Sequence, residues 1–263
     1  MIPLLSKSSL MVLEALSFTN TLYAFDFDGT LAKIVRIPSE AFMTSTTETL
    51  LKELSCLVPV AIVSGRSIQD LKKRIGFRPQ YLIGNHGLES LEKNNGSLIE
   101  AKKICTVWSE SFKKINFESG IEIEDKIYSI ALHYRRSRNK TLARKQIHLA
   151  IESLVPPPRI ITGKSVFNLL PSNSPHKGAA ILDLMQKAKT KHALYIGDDD
   201  TDEDVFGVPY DEGQLMTVRV GRKKTSQAKY FIEHQSDINR LLKSLIRFHK
   251  LPSNKTLKRP ISE

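Results

Sequence analysis

The chain has 263 residues, 41% of them hydrophobic, and its 39 lysines and arginines against 28 aspartates and glutamates leave a net charge of +11. That content builds a sizeable interior and excludes a disordered chain, and the length allows one core carrying an insertion. The positive excess suits phosphorylated sugars and nucleic acid alike, while the two cysteines, Cys56 and Cys105, have neither metal-ligand spacing nor a disulfide framework and point to a reducing compartment.

The first eighteen residues are apolar in patches but interrupted by Lys7 and Glu14. They lack a basic leader, an uninterrupted apolar core and a cleavage site, and no other segment approaches the roughly 20 apolar residues of a membrane span, so the chain reads as soluble and cytoplasmic. Residues 22–25 form a short apolar run, the signature of a strand buried on both faces. Asp26 and Asp28 follow it on one side of the extended chain, and Gly29 then lets the backbone turn. A helix over 46–57, a strand over 60–63 ending in Ser64, Gly65 and Arg66, a helix over 67–75 and a strand over 81–83 continue an α/β alternation with parallel strands.

The middle behaves differently. Residues 127–135 alternate, with Tyr128, Ile130, Leu132 and Tyr134 on one side and Ser129, Ala131, His133 and Arg135 on the other, which predicts a strand with one packed and one available face. A helix over 140–154 presents Ala143, Ile147, Ile151 and Leu154 and is broken by Pro156, Pro157 and Pro158. A strand over 164–170 directs Lys164, Val166 and Asn168 one way and Ser165, Phe167 and Leu169 the other. The predicted organisation is a core over 1–102, an α+β insertion over 103–171, and a second core part over 172–263.

In the last third, Ser174 and Pro175 read as a helix cap followed by proline at the first helical position, with Ala180, Ile181, Leu184 and Met185 forming the apolar face. A strand begins at Ala193, another spans 217–220, and a helix near 237–248 closes the chain. The tail beyond, with Pro252, Ser253, Asn254, Pro260 and several lysines, reads as solvated.

The strand from Ala193 ends, like the first, in a glycine and carboxylates: Gly197, Asp198, Asp199, Asp200, Thr201, Asp202, Glu203. In an open α/β sheet, ligands lie beyond the carboxyl ends of the strands. Two such ends bearing aspartates suit a hard cation, and Mg2+ takes few protein carboxylates, filling its shell with water and phosphate oxygens. A calcium loop of the EF-hand type lacks its glycine and terminal glutamate spacing here; a solvated acidic loop is the plainer alternative. Lys177 falls in the first helical turn, where backbone amides also favour an anion, and Ser64 with Gly65 can cradle phosphate through hydroxyl and amide.

Together, the Asp26–Asp28 motif, Ser64, Lys177 and Gly197-Asp198-Asp199 resemble the haloacid-dehalogenase (HAD) phosphatase superfamily. Ser64-Gly65-Arg66, the run from Gly84 to Glu89, that from Ala131 to Arg135, His176-Lys177-Gly178-Ala179 and the run from Gly197 to Glu203 are similar, in order and spacing, to trehalose-6-phosphate phosphatases over about residues 20 to 235. The resemblance implies a Rossmann-like HAD core with a parallel sheet and an α+β cap, binding Mg2+ and hydrolysing trehalose 6-phosphate. It makes Asp26 the nucleophile, Asp28 the general acid and base, and Lys177 the phosphate-bridging lysine. Asp26, the backbone carbonyl of Asp28, Asp198 and, in the outer shell, Asp202 would hold the metal. Ser64, Gly65, Arg66, Asn85, His86, His133, Arg135, Lys164 and Asn168 would contact substrate. Many members of that family carry a glutamate where this chain has Asn168 and an arginine at the position of Leu170, a difference that bears on the sugar and not on the phosphate chemistry. The alternatives are a phosphatase for another sugar phosphate, such as a sucrose or mannosylglycerate phosphate, a sugar phosphomutase, and a nucleic-acid binder built on the same fold. No interleaved aromatic platform supports the last, so the expected partner is a small sugar phosphate, with no nucleic acid and no membrane, and the protein a monomer.

Overall fold

The computed structural model describes residues 1–90, 95–163, 165–210 and 213–251. The predicted Lys164 contact and the solvated tail from Pro252 onward lie outside these residues.

The first part of the core runs β1 (Ile2–Pro3), α1 (Lys7–Leu16), β2 (Thr21–Phe25), α2 (Ser45–Ser55), β3 (Val60–Val63), α3 (Ile68–Arg74), β4 (Tyr81–Gly84) and β5 (Glu89–Ser90). An inserted unit follows, with α4 (Asn95–Lys113), β6 (Glu122–Asp125), β7 (Ile130–His133), α5 (Lys140–Glu152), β8 (Pro158–Gly163) and β9 (Val166–Pro171). The core then resumes with α6 (Lys177–Lys187), β10 (His192–Gly197), α7 (Glu203–Phe206), β11 (Leu215–Val220), β12 (Tyr230–Ile232) and α8 (Ile238–Lys250).

Among the described residues the core strands form one sheet in the order β1-β12-β11-β10-β2-β3-β4-β5. All pairs are parallel except β4 with β5. From β2 the chain winds outward one way through β3 and β4, and from β10 the other way through β11 and β12, so the β2/β10 pair is the topological switch point. Every residue of β2 and β3 is buried, as strands covered by helices on both faces require. One face packs Leu13, Leu51, Leu54, Leu241, Leu242 and Leu245 of α1, α2 and α8 against Tyr23, Phe25 and Ile62. The other packs Ile181, Leu184 and Met185 of α6 against Leu22, Ala24 and Tyr195.

The inserted unit is an antiparallel sheet, β6-β7-β9-β8. Ile130, Leu132, Phe167 and Leu169 pack with Trp108 and Phe112 of α4 and Ala143, Ile147 and Ile151 of α5. The opposite face turns Ala131 and Asn168, a cross-strand pair, toward the core.

Two expectations are corrected. The strand over 127–135 is confined to Ile130–His133. Residues before it form a tight turn in which Asp125 Oδ1 accepts the Ile127 amide at 2.7 Å and the Lys126 amide donates to Ser129 O at 2.9 Å, an Asx turn that outcompetes extension. The cap of α6 is His176, whose Nδ1 accepts the Ala179 amide at 3.3 Å; Ser174 and Pro175 lie ahead of it, and Lys177 itself is the first helical residue. The first eighteen residues contribute β1 and α1, with Ser6 capping α1 through the Ser9 amide at 3.3 Å. No helix among the described residues is long and apolar enough to cross a membrane.

Candidate active site

Asp26 is the residue immediately after β2, and its amide donates to Ile196 O of β10 at 2.8 Å, which locks its position at the switch point. Lys177, at the start of α6, reaches across the sheet end and donates to Asp26 Oδ1 at 2.6 Å and Asp202 Oδ1 at 2.7 Å. All three side chains are buried. Burial works against the ammonium, but Asp202 and Asp26 outweigh it and hold Lys177 well above the ordinary lysine range. Asp26 is pushed well above the carboxylate range, first by burial and then by Asp202 and Asp198, with Lys177 offsetting only part of this.

Asp202 is fully engaged. Its Oδ1 accepts from Lys177 and from the buried Tyr195 hydroxyl at 2.6 Å, and its Oδ2 from the amides of Asp198 and Asp199 at 2.8 and 2.9 Å. With four donors on two oxygens, Asp202 shapes the loop that carries Asp198 and orients Lys177. From the next strand, Arg219 donates to the carbonyl oxygens of Asp198 and Asp199 and to Glu203 Oε1.

One carboxylate oxygen from each of Asp26, Asp198 and Asp202 lies within 4.8 Å of the others, an all-oxygen set that could hold a metal ion. Burial, followed by the charges of Asp202 and Asp199, pushes Asp198 up to about 8; Lys177 alone does not balance three carboxylates. This is a site whose charge a divalent cation would complete, and its donors are the hard oxygens that Mg2+ takes. Because both oxygens of Asp202 are already shared, Asp26 and Asp198 have the greater coordinating capacity. Gly29 makes room for this cluster: at φ +89° it turns the chain, and a Cβ there would lie 2.1 Å from Asp198 Oδ2.

Asp28 faces the crevice but is not loose. Arg66 grips it with a two-pronged contact, Nε to Oδ2 and Nη2 to Oδ1, both 2.6 Å. The same guanidinium donates to Asp70 at 2.8 Å and to Pro38 O at 2.8 Å, so Arg66, expected to contact substrate, holds Asp28 in this structure. Buried Ser64 accepts the Arg66 amide on its Oγ at 3.2 Å.

After β4 the chain adopts two successive left-handed residues, Asn85 at φ +48° and His86 at φ +56°. Asparagine tolerates this region better than histidine, so the conformation is held by its surroundings. Asn85 Nδ2 donates to Glu89 at 3.0 Å, and Asn85 Oδ1 accepts from Ser129 of the inserted unit at 2.7 Å. The His86 ring lies close against Gly65, where a Cβ would be 2.4 Å from its Cε1. Both its ring nitrogens are buried without a hydrogen-bond partner, and burial, helped by Lys126, Lys177 and Arg159, holds the ring well below the usual histidine range and neutral. An unpartnered buried donor and acceptor cost free energy unless a ligand satisfies them.

The inserted unit meets this loop through Lys126, at the tip of the β6–β7 turn, which donates to Gly65 O at 3.3 Å and Asn168 Oδ1 at 3.4 Å. Asn168 is buried and joined to the phosphate-loop candidates through this lysine. His133 pairs with Glu124 at 2.9 Å, and Arg135 donates to Val35 O at 3.0 Å, so both have protein partners in this structure. Sequence reasoning missed Lys126, Tyr195 and Arg219. Lys126 sits in a charged tract that reads as solvated, and only the hairpin geometry partly buries its side chain; Tyr195 looks like one more core residue of β10.

The trehalose-phosphatase family model matches residues 24–236. Trehalose-phosphate phosphatase B of Arabidopsis thaliana is 27% identical over 249 residues, covering 86% of this chain and 66% of its own length. The trehalose-phosphate phosphatase of Mycobacterium tuberculosis is 27% identical over 224 residues, covering 79% and 57%. The C-terminal domain of the C. albicans trehalose-6-phosphate phosphatase superposes with a TM-score of 0.74 at 22% identity, covering 94% of this chain and 98% of that one. The chain thus spans two thirds or less of the length of these two curated relatives.

Proposed function

The chain belongs to the trehalose-phosphatase family, and on that premise we propose that it hydrolyses trehalose 6-phosphate to trehalose and phosphate, with Mg2+ as cofactor and Asp26 as nucleophile. The observation that carries the reading is the buried Asp26–Lys177–Asp202 contact, set beside Asp198 at the switch point of the sheet. Asp26, Asp198 and the backbone carbonyl of Asp28 would hold the metal, with Asp202 behind them. When bound, the cation supplies the positive charge that lets a carboxylate approach a phosphate dianion.

Asp26 attacks phosphorus with the oxygen that Lys177 does not hold; the Asp26–phosphorus bond forms as the bond to the sugar oxygen breaks, and Asp28 gives that oxygen a proton. Asp28 then takes a proton from water, which attacks phosphorus and releases Asp26. Lys177 bridges nucleophile and phosphate, while the Ser64 hydroxyl and the Gly65 amide cradle phosphate oxygens. The unit over 103–171 reads the sugar, with Asn168, Lys126 and the unpartnered His86 nitrogens available to its hydroxyls.

Phosphate release from a panel of sugar phosphates tests the substrate. Trehalose 6-phosphate is expected to give the highest kcat/KM with Mg2+ and none after chelation; preference for a sucrose phosphate would reassign the sugar. Asn168→Ala removes sugar contacts without touching phosphorus. Each such hydrogen bond is worth about 1 kcal/mol, or about 1–3 when a buried partner is left unpaired, so kcat/KM on the disaccharide phosphate should fall roughly 10- to 100-fold. A small aryl phosphate, too short to reach this surface, should lose less than about 3-fold by the same measure. Equal losses on both would place Asn168 in support of the phosphate site.

A further inference from the structure

We propose that Asp70 and Arg74 are positioning residues that act on Asp28 through Arg66, fixing the Asp28 carboxylate for the water-activating half of the reaction. The inference rests on the phosphatase reading above and adds to it two residues outside the site.

The contacts form one chain of alternating charge. Arg66 forks onto Asp28 at 2.6 Å on each prong and passes Nη1 to Asp70 Oδ2 at 2.8 Å. Arg74 makes a second fork onto Asp70, Nε to Oδ2 at 2.9 Å and Nη2 to Oδ1 at 2.8 Å. Its Nη1 donates to Ser39 O at 2.9 Å and Ala41 O at 3.0 Å. The guanidinium carbons of Arg66 and Arg74 lie 5.8 and 5.1 Å from the ring centres of Phe27 and Phe42. The spacing 66, 70, 74 stacks the three side chains along one side of α3 and the turn entering it.

The distribution of exposure makes this a brace. Asp28 is the most accessible member, its side chain 38% exposed, whereas Arg66 and Arg74 are 11% and 7% exposed. A short carboxylate at a crevice mouth has free choice of rotamer unless something holds it. A planar guanidinium binding both oxygens fixes its plane as well as its position. Arg66 could itself swing, but Asp70 pins its far nitrogen, and Asp70 is in turn gripped by the buried Arg74. The chain ends on backbone carbonyls, which cannot move without the loop over 38–41.

A carboxylate accepting both prongs is oriented to accept a proton from water, the step that breaks down the phosphorylated Asp26. Weakening the brace should therefore slow dephosphorylation more than phosphorylation. With an aryl phosphate, whose leaving group needs no proton, kcat/KM reports only the steps through phosphorylation, while kcat includes dephosphorylation.

The test is steady-state and acid-quench kinetics of the Mg2+-loaded protein on an aryl phosphate, comparing wild type, Asp70→Asn and Arg74→Lys, the second keeping the charge but not the fork. For both variants kcat should fall about 10-fold and KM in parallel, leaving kcat/KM within about 3-fold, and the fraction of protein trapped with phosphorylated Asp26 should rise. In an Asp28→Asn background Asp70→Asn should have no further effect on dephosphorylation. Equal falls in kcat and kcat/KM without accumulation, or an undiminished effect of Asp70→Asn in that background, would overturn the proposal in favour of a structural role. Should Asp70→Asn not fold, Arg74→Lys decides by the same criteria. A wild type that neither releases phosphate nor traps it on Asp26 would overturn the phosphatase reading and this inference with it.

Discussion

Asp26→Asn should abolish turnover, by roughly 10⁴-fold or more, as expected when a group acting as the nucleophile is removed, and should leave the fold intact. The amide keeps the shape of the carboxylate, and its oxygen can still accept from Lys177, which retains Asp202 at 2.7 Å as its charged partner. Wild-type Asp26 is a buried carboxylate pushed well above its ordinary range, by burial first, so exchanging it for a neutral isostere removes an unfavourable charge. The melting temperature in the absence of metal should therefore stay level or rise, the pattern of a site where function opposes stability. Phosphate release and thermal unfolding, measured together, check both halves; a large loss of stability would mean that Asp26 is primarily a structural anchor.

Lys177→Met should behave in the opposite way, losing stability as well as activity. The methionine fills a similar volume but leaves Asp26 and Asp202 buried without their cation, and breaking a buried pair from one side costs about 3–5 kcal/mol. For a chain of this size that corresponds to a fall in melting temperature of roughly 10 °C. The loss should shrink in two circumstances that share one cause. Saturating Mg2+ restores positive charge to the cluster, and Asp26→Asn removes one of the two stranded carboxylates, so both should recover part of the stability. Thermal unfolding of the single and double variants, with and without Mg2+, measures this. A loss that is indifferent to Mg2+ and additive with Asp26→Asn would mean that the lysine stabilises the core by packing alone.

The core was legible where one physical rule acts locally. Short apolar runs ending in Asp26, Ser64 and Gly197 became buried parallel strands, and the two carboxylate clusters met because strand ends converge at a switch point. The inserted sheet was half legible: alternation revealed β7 and β9, whose Ile130, Leu132, Phe167 and Leu169 share the face that packs on α4 and α5, but not β6, all of whose residues are exposed. The partners of Arg66 and Lys126 were not legible, for one reason. Long cationic side chains can span several ångströms, so their partners depend on what the tertiary fold brings near. Asp28 and Asp70 captured Arg66, and a hairpin tip carried Lys126 over Gly65. The helix start at Lys177 was displaced from Ser174 because His176 supplies the capping acceptor, a role that serine, asparagine or aspartate more often fills.

The central claim is that trehalose 6-phosphate gives its phosphoryl group to Asp26, and acid-quench mapping during turnover tests it most directly. Protein with Mg2+ is mixed with trehalose 6-phosphate, stopped in acid, digested, and its peptides weighed, in the wild type and in Asp28→Asn. The expected result is one added phosphoryl group on the peptide containing Asp26, more abundant in Asp28→Asn, where water is no longer activated, and absent from Asp26→Asn. Phosphate released from trehalose 6-phosphate with no modified Asp26 peptide in either protein, or labelling of Asp26 by other sugar phosphates but not by this one, would contradict it.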